Sequence, residues 1–168
     1  MKNSVLKYGF YGLLTAVVLF LLALWLGKGL SYTTQEVLGY TTMVASLSFI
    51  FFGVKHYRDK VNNGSVSFGK ALVIGLLISA FVGLGIGIGD YIYTTSINPD
   101  FMTEYMDYTL KGMEETLSPE EFAVKKAELE QQMEIMGRPI MLAVVMFATV
   151  FVIGLIISLI SALILQRK

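Results

Sequence analysis

Cysteine is missing from the chain, and with it go disulfides, thiolate nucleophiles and Cys-ligated metal sites. Histidine occurs once, at His56, so no pair of imidazoles four residues apart exists to hold zinc on a helix. Ser4, Ser65 and Ser67 have no histidine base in a recognisable arrangement, which leaves hydrolytic chemistry without a triad. Charge is also missing, and in blocks: residues 8–27, 37–54, 71–89 and 140–165 contain no Asp, Glu, Lys or Arg. An ionisable group near the centre of such a run usually marks an ion or proton path. Its absence argues against a proton-coupled transporter.

What remains in those runs is apolar, and apolar residues make up 55% of the 168. A soluble domain of this size breaks its apolar residues into amphipathic segments instead. At about 1.5 Å of rise per residue, each run approaches or crosses a hydrocarbon core of roughly 30 Å as a helix. The expectation is an all-α, four-helix transmembrane bundle in one membrane domain, with spans at about 8–27, 34–54, 71–93 and 140–165. The first run is about twenty residues, longer than a secretory h-region of roughly 7–15, and is read as an uncleaved anchor. Without cysteine, and with Lys2 where myristoylation needs Gly, no lipidation motif is available. Tyr8, Tyr11, Trp25, Tyr40, Tyr91 and Tyr93 fall near span ends, where amphipathic rings anchor at the interface. Glu36 and Asp90 read as markers of the membrane border.

The formal net charge is zero, yet it is sorted by side. With four spans, both termini and the loop around 55–70 share one side. That side carries Lys2, Lys7, Lys55, Arg58, Lys60, Lys70, Arg167 and Lys168 against the single acid Asp59. The other side carries five bases against twelve acids. Basic residues near span ends are retained in the cytoplasm, so both termini are expected to be cytoplasmic, in the cytoplasmic (inner) membrane. Within this set, Lys55, Tyr57, Arg58 and Lys60 are the candidate contacts for lipid head groups or a partner. Topology and lipid anchoring explain the cluster with less assumption than a docked protein does.

Span three carries the most specific packing signal. Ala71, Gly75, Ser79, Gly83 and Gly87 recur every four residues and form one ridge of small side chains on a helix. Such a ridge lets two helix backbones approach closely in lipid. Gly85 and Gly89 are expected to widen the strip. Gly154, Ser158 and Ala162 in span four form a shorter series, as do Gly12 and Ala16 in span one. Span three is therefore expected to be the central packing helix. The Gly83–Gly89 stretch lacks the G-x-G-x-x-G spacing and lies inside a span, so it is not a nucleotide loop.

Residues 95–138 read as an extracytoplasmic helical hairpin between spans three and four. Asn98-Pro99-Asp100 and Ser118-Pro119-Glu120-Glu121 are two helix starts, the second fitting a capping box. Met102, Met106, Thr109, Met113 and Leu117 recur at helical spacing with Phe101, Tyr105 and Tyr108 beside them. Phe122, Leu129, Met133 and Met136 line the second helix. Residues 90–138 hold eleven acids and four bases, whereas helices that lie on lipid are usually basic. The hairpin is therefore expected to pack on protein. The methionines at helical spacing fit apolar packing better than a Cu(I) site. Glu114, Glu115, Glu120 and Glu121 fit a solvated surface better than a cation site.

Four stretches together are identified with a known family: Gly53-Val54-Lys55-His56-Tyr57-Arg58-Asp59-Lys60, Ser67-Phe68-Gly69-Lys70-Ala71, Ile97-Asn98-Pro99-Asp100-Phe101, and the tail Leu159-Ile160-Ser161-Ala162-Leu163-Ile164-Leu165-Gln166-Arg167-Lys168. With the four-span layout they resemble an uncharacterised bacterial membrane family, domain of unknown function 4199, over essentially the whole chain. The resemblance implies a compact four-helix membrane protein and no activity, substrate or cofactor. At His56 the chain departs from the small or polar residue expected there.

The residues thus point to a non-enzymatic membrane protein that scaffolds or modulates a partner or associates with itself. They offer no catalytic residue, no cofactor site and no nucleic-acid partner. The alternative is a small oligomeric transporter or channel, in which Thr41, Thr42, Ser46 and Ser48 of span two would offer hydroxyls to a solute. Such hydroxyls more commonly bond their own helix backbone.

Overall fold

The computed structural model describes residues 1–167; Lys168, counted above in the basic end and in the family tail, lies outside them. The elements are α1 (Lys2–Leu26), α2 (Tyr32–Leu47), α3 (Phe49–His56), α4 (Phe68–Ile92), α5 (Phe101–Thr116), α6 (Pro119–Met136) and α7 (Pro139–Leu165). Single π-helical turns, Tyr57–Val61 and Tyr93–Ile97, extend α3 and α4. Four continuous stretches are long and apolar enough to cross a membrane: Lys2–Leu26, Tyr32–Val61, Phe68–Ile97 and Pro139–Leu165. The protein is an all-α bundle of four such helices. The helices outrun the charge-free windows, because those windows report the depth of the hydrocarbon and not where backbone hydrogen bonding stops. Their starts are set by caps: Thr34 N–H donates to Ser31 Oγ (3.3 Å), and Lys70 N–H donates to Ser67 Oγ (3.4 Å).

The second span bends at Ser48, whose hydroxyl donates to the Ala45 carbonyl (2.7 Å). Back-bonding of this kind is a known cause of helix bending. At the end of the second span, Asn63 and Gly64 both take positive φ, 50° and 82°, and turn the chain into α4. The tail is tied to the same turn: Val66 and Arg167 exchange two backbone hydrogen bonds of 2.9 Å each.

α4 is the hub. Within the most apolar window of each span, 56% of α4 is buried against 17% of α7, although α7 is the more apolar. The apolar surface of α7 therefore faces lipid, while α4 is enclosed by protein. Ala71, Gly75, Ser79, Gly83 and Gly87 are all buried. An added Cβ on Gly75 would come within 2.7 Å of Ser158 Cβ, one on Gly83 within 2.9 Å of Phe147, and one on Gly87 within 3.0 Å of the Ala143 carbonyl oxygen. In return, a Cβ on Gly154 would overlap Ser79. α4 and α7 thus run antiparallel and interlock reciprocally, each offering a serine to the other's glycine. Both hydroxyls are satisfied on their own helices: Ser79 Oγ donates to Leu76 O (2.8 Å), and Ser158 Oγ donates to Gly154 O (2.6 Å). Dispersion across a close backbone approach holds this contact.

The structure corrects the placement of Gly85 and Gly89. They do not widen the Ala71–Gly87 strip; they form a second strip, against α1. A Cβ on Gly85 would lie 2.6 Å from the Leu13 carbonyl oxygen, and one on Gly89 would lie 3.0 Å from Phe20 Cδ1. In the other direction, Gly9 faces Phe81 and Gly12 faces Val82. Residues 83 and 87 lie on one side of the helix, and 85 and 89 lie about 200° away at roughly 100° per residue. One helix therefore carries two glycine faces and packs a neighbour on each.

Candidate functional site

At the end of the bundle bearing the 57–67 turn, the basic cluster is divided by the π-helical turn. Lys55 and Lys60 are exposed. Tyr57 is turned inward and is only 5% exposed, with its hydroxyl donating to Asn62 Oδ1 (3.3 Å) and Lys70 Nζ 6.0 Å from its ring centroid. Tyr57 is therefore a structural residue of this turn, not the contact residue expected from the sequence; it follows Ile50 and Val54 at helical spacing on the buried face. Arg58 is half-buried. It holds Asp59 with Nε to Oδ1 at 2.6 Å and reaches the Leu165 carbonyl with Nη1 at 3.5 Å. Lys55 and Lys60 make up the accessible part of the cluster.

Two arrangements at this depth and at the opposite end were hidden by sequence distance. Ser4 is buried in α1 and its Oγ lies 3.1 Å from His56 Nδ1, with the Tyr8 ring 5.3 Å from the imidazole. The pair stitches α1 to α3, a serine–imidazole contact that the sequence reading did not find. Asp90 was expected at the membrane border. The helix instead continues through it to Ile97, held in part by Thr94 Oγ1 donating to the Asp90 carbonyl (2.9 Å) and Thr95 Oγ1 to that of Tyr91 (2.6 Å). Asp90 is buried, and its Oδ2 has no hydrogen-bond partner among the described residues. No signal in the sequence distinguishes a border carboxylate from one folded inward.

The hairpin of α5 and α6 stands at the Asp90 end. It has no buried residue on either helix. Met102, Met106, Thr109, Met113 and Leu117 form a half-buried seam with Phe122, Leu129 and Met133, whereas Met136 is exposed. Its root is fixed by aromatic packing on the start of α2. The Tyr32 ring lies 4.6 Å from Tyr108, 5.6 Å from Tyr105 and 6.5 Å from Phe101, and Phe101 lies 5.4 Å from Tyr93. Phe101, Tyr105 and Tyr108 share one helix face at spacings of four and three, a signal present in the sequence; that Tyr32 would receive them was not. α6 opens with a full capping box: Glu121 N–H donates to Ser118 Oγ (3.4 Å), and Ser118 N–H donates to Glu121 Oε2 (3.1 Å). The Ser118 hydroxyl and backbone hold the Glu121 carboxyl below its usual range. Lys125 is held above its usual range by its hydrogen bond to Glu128 (2.8 Å).

The span-two hydroxyls are satisfied locally: Thr41 donates to Val37 O (2.7 Å), Thr42 to Gly39 O (2.8 Å) and Ser46 to Thr42 O (2.8 Å). Among the described residues no group of three or more His, Asp or Glu side chains is placed to share a metal ion.

Three apolar helices around a fourth, glycine-faced hub, with one polar hairpin, define a multi-pass helical membrane protein. The chain belongs to the family described as protein of unknown function (DUF4199), which it matches over residues 7–167. No curated protein and no solved structure matches it.

Proposed function

We propose that this protein is a non-enzymatic scaffold or modulator of a membrane partner, seated in the cytoplasmic membrane with both termini in the cytoplasm and the α5–α6 hairpin outside. The observation that carries the reading is the hairpin itself. A soluble element without a single buried residue has little core of its own, and elements of that kind gain order from what they pack against. On α6, Val124 and Ile135 stay 58–59% exposed, and the hairpin's excess of acids favours protein over anionic lipid as the surface it meets. The orientation is supported by the basic residues gathered at the opposite end.

The test is a photo-crosslinking amino acid placed at Val124 or Ile135 in growing cells. The reading expects one discrete adduct, abolished when the other of these two positions is changed to Glu in the same chain. An adduct of twice the 18.6 kDa chain identifies self-association, and any other discrete mass identifies a separate partner. No adduct from either position refutes the reading.

A further inference from the structure

Two clefts on the hairpin end share Lys28, Tyr93 and Ile97 and so form one groove. Its part along α1, about 420 Å³, is walled by the side chains Val18, Leu22 and Trp25. Its mouth, about 490 Å³, is lined by Tyr32, Asn98, Phe101 and Glu104. Each volume falls in the range of roughly 300–1,000 Å³ typical of small-molecule sites. The mouth holds one cation and one anion. Lys28 has no ion-pair partner among the described residues. Glu104 accepts one hydrogen bond, from Asn98 Nδ2 (3.0 Å), and has no cationic partner. The loop bearing Lys28 is fixed, with Leu30 N–H donating to Gly27 O (3.0 Å), Gln35 Nε2 donating to Leu30 O (3.0 Å), and Gly29 at φ +84°.

We propose that this groove binds one phospholipid with a phosphoethanolamine headgroup, drawn from the leaflet on the hairpin side. The phosphate pairs with the Lys28 ammonium, the lipid ammonium pairs with Glu104 beside the Tyr32 and Phe101 rings, and an acyl chain lies along Val18, Leu22 and Trp25. Charge complementarity selects this headgroup. A zwitterion meets both charges, whereas an anionic phosphoglycerol headgroup meets Lys28 and offers Glu104 only neutral hydroxyls in place of an ammonium. The inference goes beyond the partner reading and stands without it.

The test uses the full chain, delipidated in detergent and titrated in native mass spectrometry with dioleoyl-phosphatidylethanolamine, dioleoyl-phosphatidylglycerol and dioleoylglycerol. The expected result is one saturable phosphatidylethanolamine site, about threefold or more tighter than phosphatidylglycerol, which is the scale of a partly exposed ion pair. Dioleoylglycerol, with the chains and neither charge, binds weakest. Glu104→Gln brings the two phospholipids to equal affinity, Lys28→Gln weakens both, and Lys111→Gln on the exposed side of α5 changes neither. Equal affinity of the unmodified chain for the three lipids, or variants at Lys28 and Glu104 that bind as it does, overturns the proposal and leaves the groove to bulk lipid.

Discussion

Replacing Gly85 with alanine adds one methyl group, and the structure fixes what that methyl meets. Its nearest neighbour would be the Leu13 carbonyl oxygen at 2.6 Å, followed by Ala16 Cβ and Leu13 Cα at 3.2 Å. All three belong to backbone or to a side chain with no rotamer to change, so relief requires α1 to move away from α4. Overpacking of this kind costs about 1–3 kcal/mol, and the absence of a yielding side chain places Gly85→Ala near the upper end. At 1.4 kcal/mol per tenfold, a cost of about 2–3 kcal/mol lowers the folded-to-unfolded ratio by roughly 30- to 150-fold. Gly83→Ala meets the Phe147 ring at 2.9 Å and the Phe147 carbonyl oxygen at 3.2 Å; the ring can swing and the backbone contact is looser than at Gly85, so the cost falls to about 1–2 kcal/mol. Gly39→Ala meets nothing within 4 Å and should be neutral or slightly stabilising, because alanine is the better helix former. Reversible unfolding in mixed micelles, followed by far-UV circular dichroism and by the single tryptophan, Trp25, ranks the three. The expected order of midpoints is Gly39→Ala highest and Gly85→Ala lowest. Equal midpoints, or Gly85→Ala at or above the unmodified chain, would refute the two-faced hub.

Asp90→Asn removes a buried charge whose Oδ2 is unpartnered among the described residues; burying a neutral amide costs less than burying an ion, so its unfolding midpoint should equal or exceed that of the unmodified chain, and a clear loss would show that the carboxylate is engaged. Tyr32→Ala removes the ring on which Phe101, Tyr105 and Tyr108 converge; deuterium uptake over 101–116 should rise while uptake over 68–92 stays as it was, and unchanged uptake over both would mean that the hairpin is held elsewhere. The capping box predicts a pH dependence of known sign. The folded Glu121 carboxyl titrates below its unfolded value because Ser118 bonds its charged form, so its support for α6 is complete above the unfolded pKa and lost as pH falls through the folded one. Amide exchange over 119–123 should therefore quicken relative to the rest of α6 in that acidic window, and Ser118→Ala should show the quickened exchange already at neutral pH.

The layout of spans and hairpin was legible because its causes are local. A run without charge, a proline after a cap residue and a repeat of small residues each act within a few turns of helix. The ridge from Ala71 to Gly87 could be read for the same reason. What the ridge faces could not, since choosing between α1 and α7 depends on tertiary partners, and Gly85 and Gly89 were accordingly read as part of the same strip when they form a second one. Asp90 and Tyr57 show a second limit. Both sit where a helix is expected to end, and both instead fall on the buried face of a helix that continues, Asp90 four residues after Ile86 and Tyr57 three after Val54. The Ser4–His56 contact joins residues 52 apart, and nothing in either local sequence requires it.

The central claim is four crossings, with the basic turn and the acidic hairpin on opposite faces of the membrane and the hairpin outside. The natural absence of cysteine makes the direct measurement clean, because a single cysteine placed at Lys60 or at Glu115 is the only thiol in the chain. A membrane-impermeant maleimide added to intact spheroplasts should label the cysteine at 115 at once and the one at 60 only after the membrane is opened. Labelling of 60 in intact spheroplasts, or protection of 115 until lysis, would contradict the account.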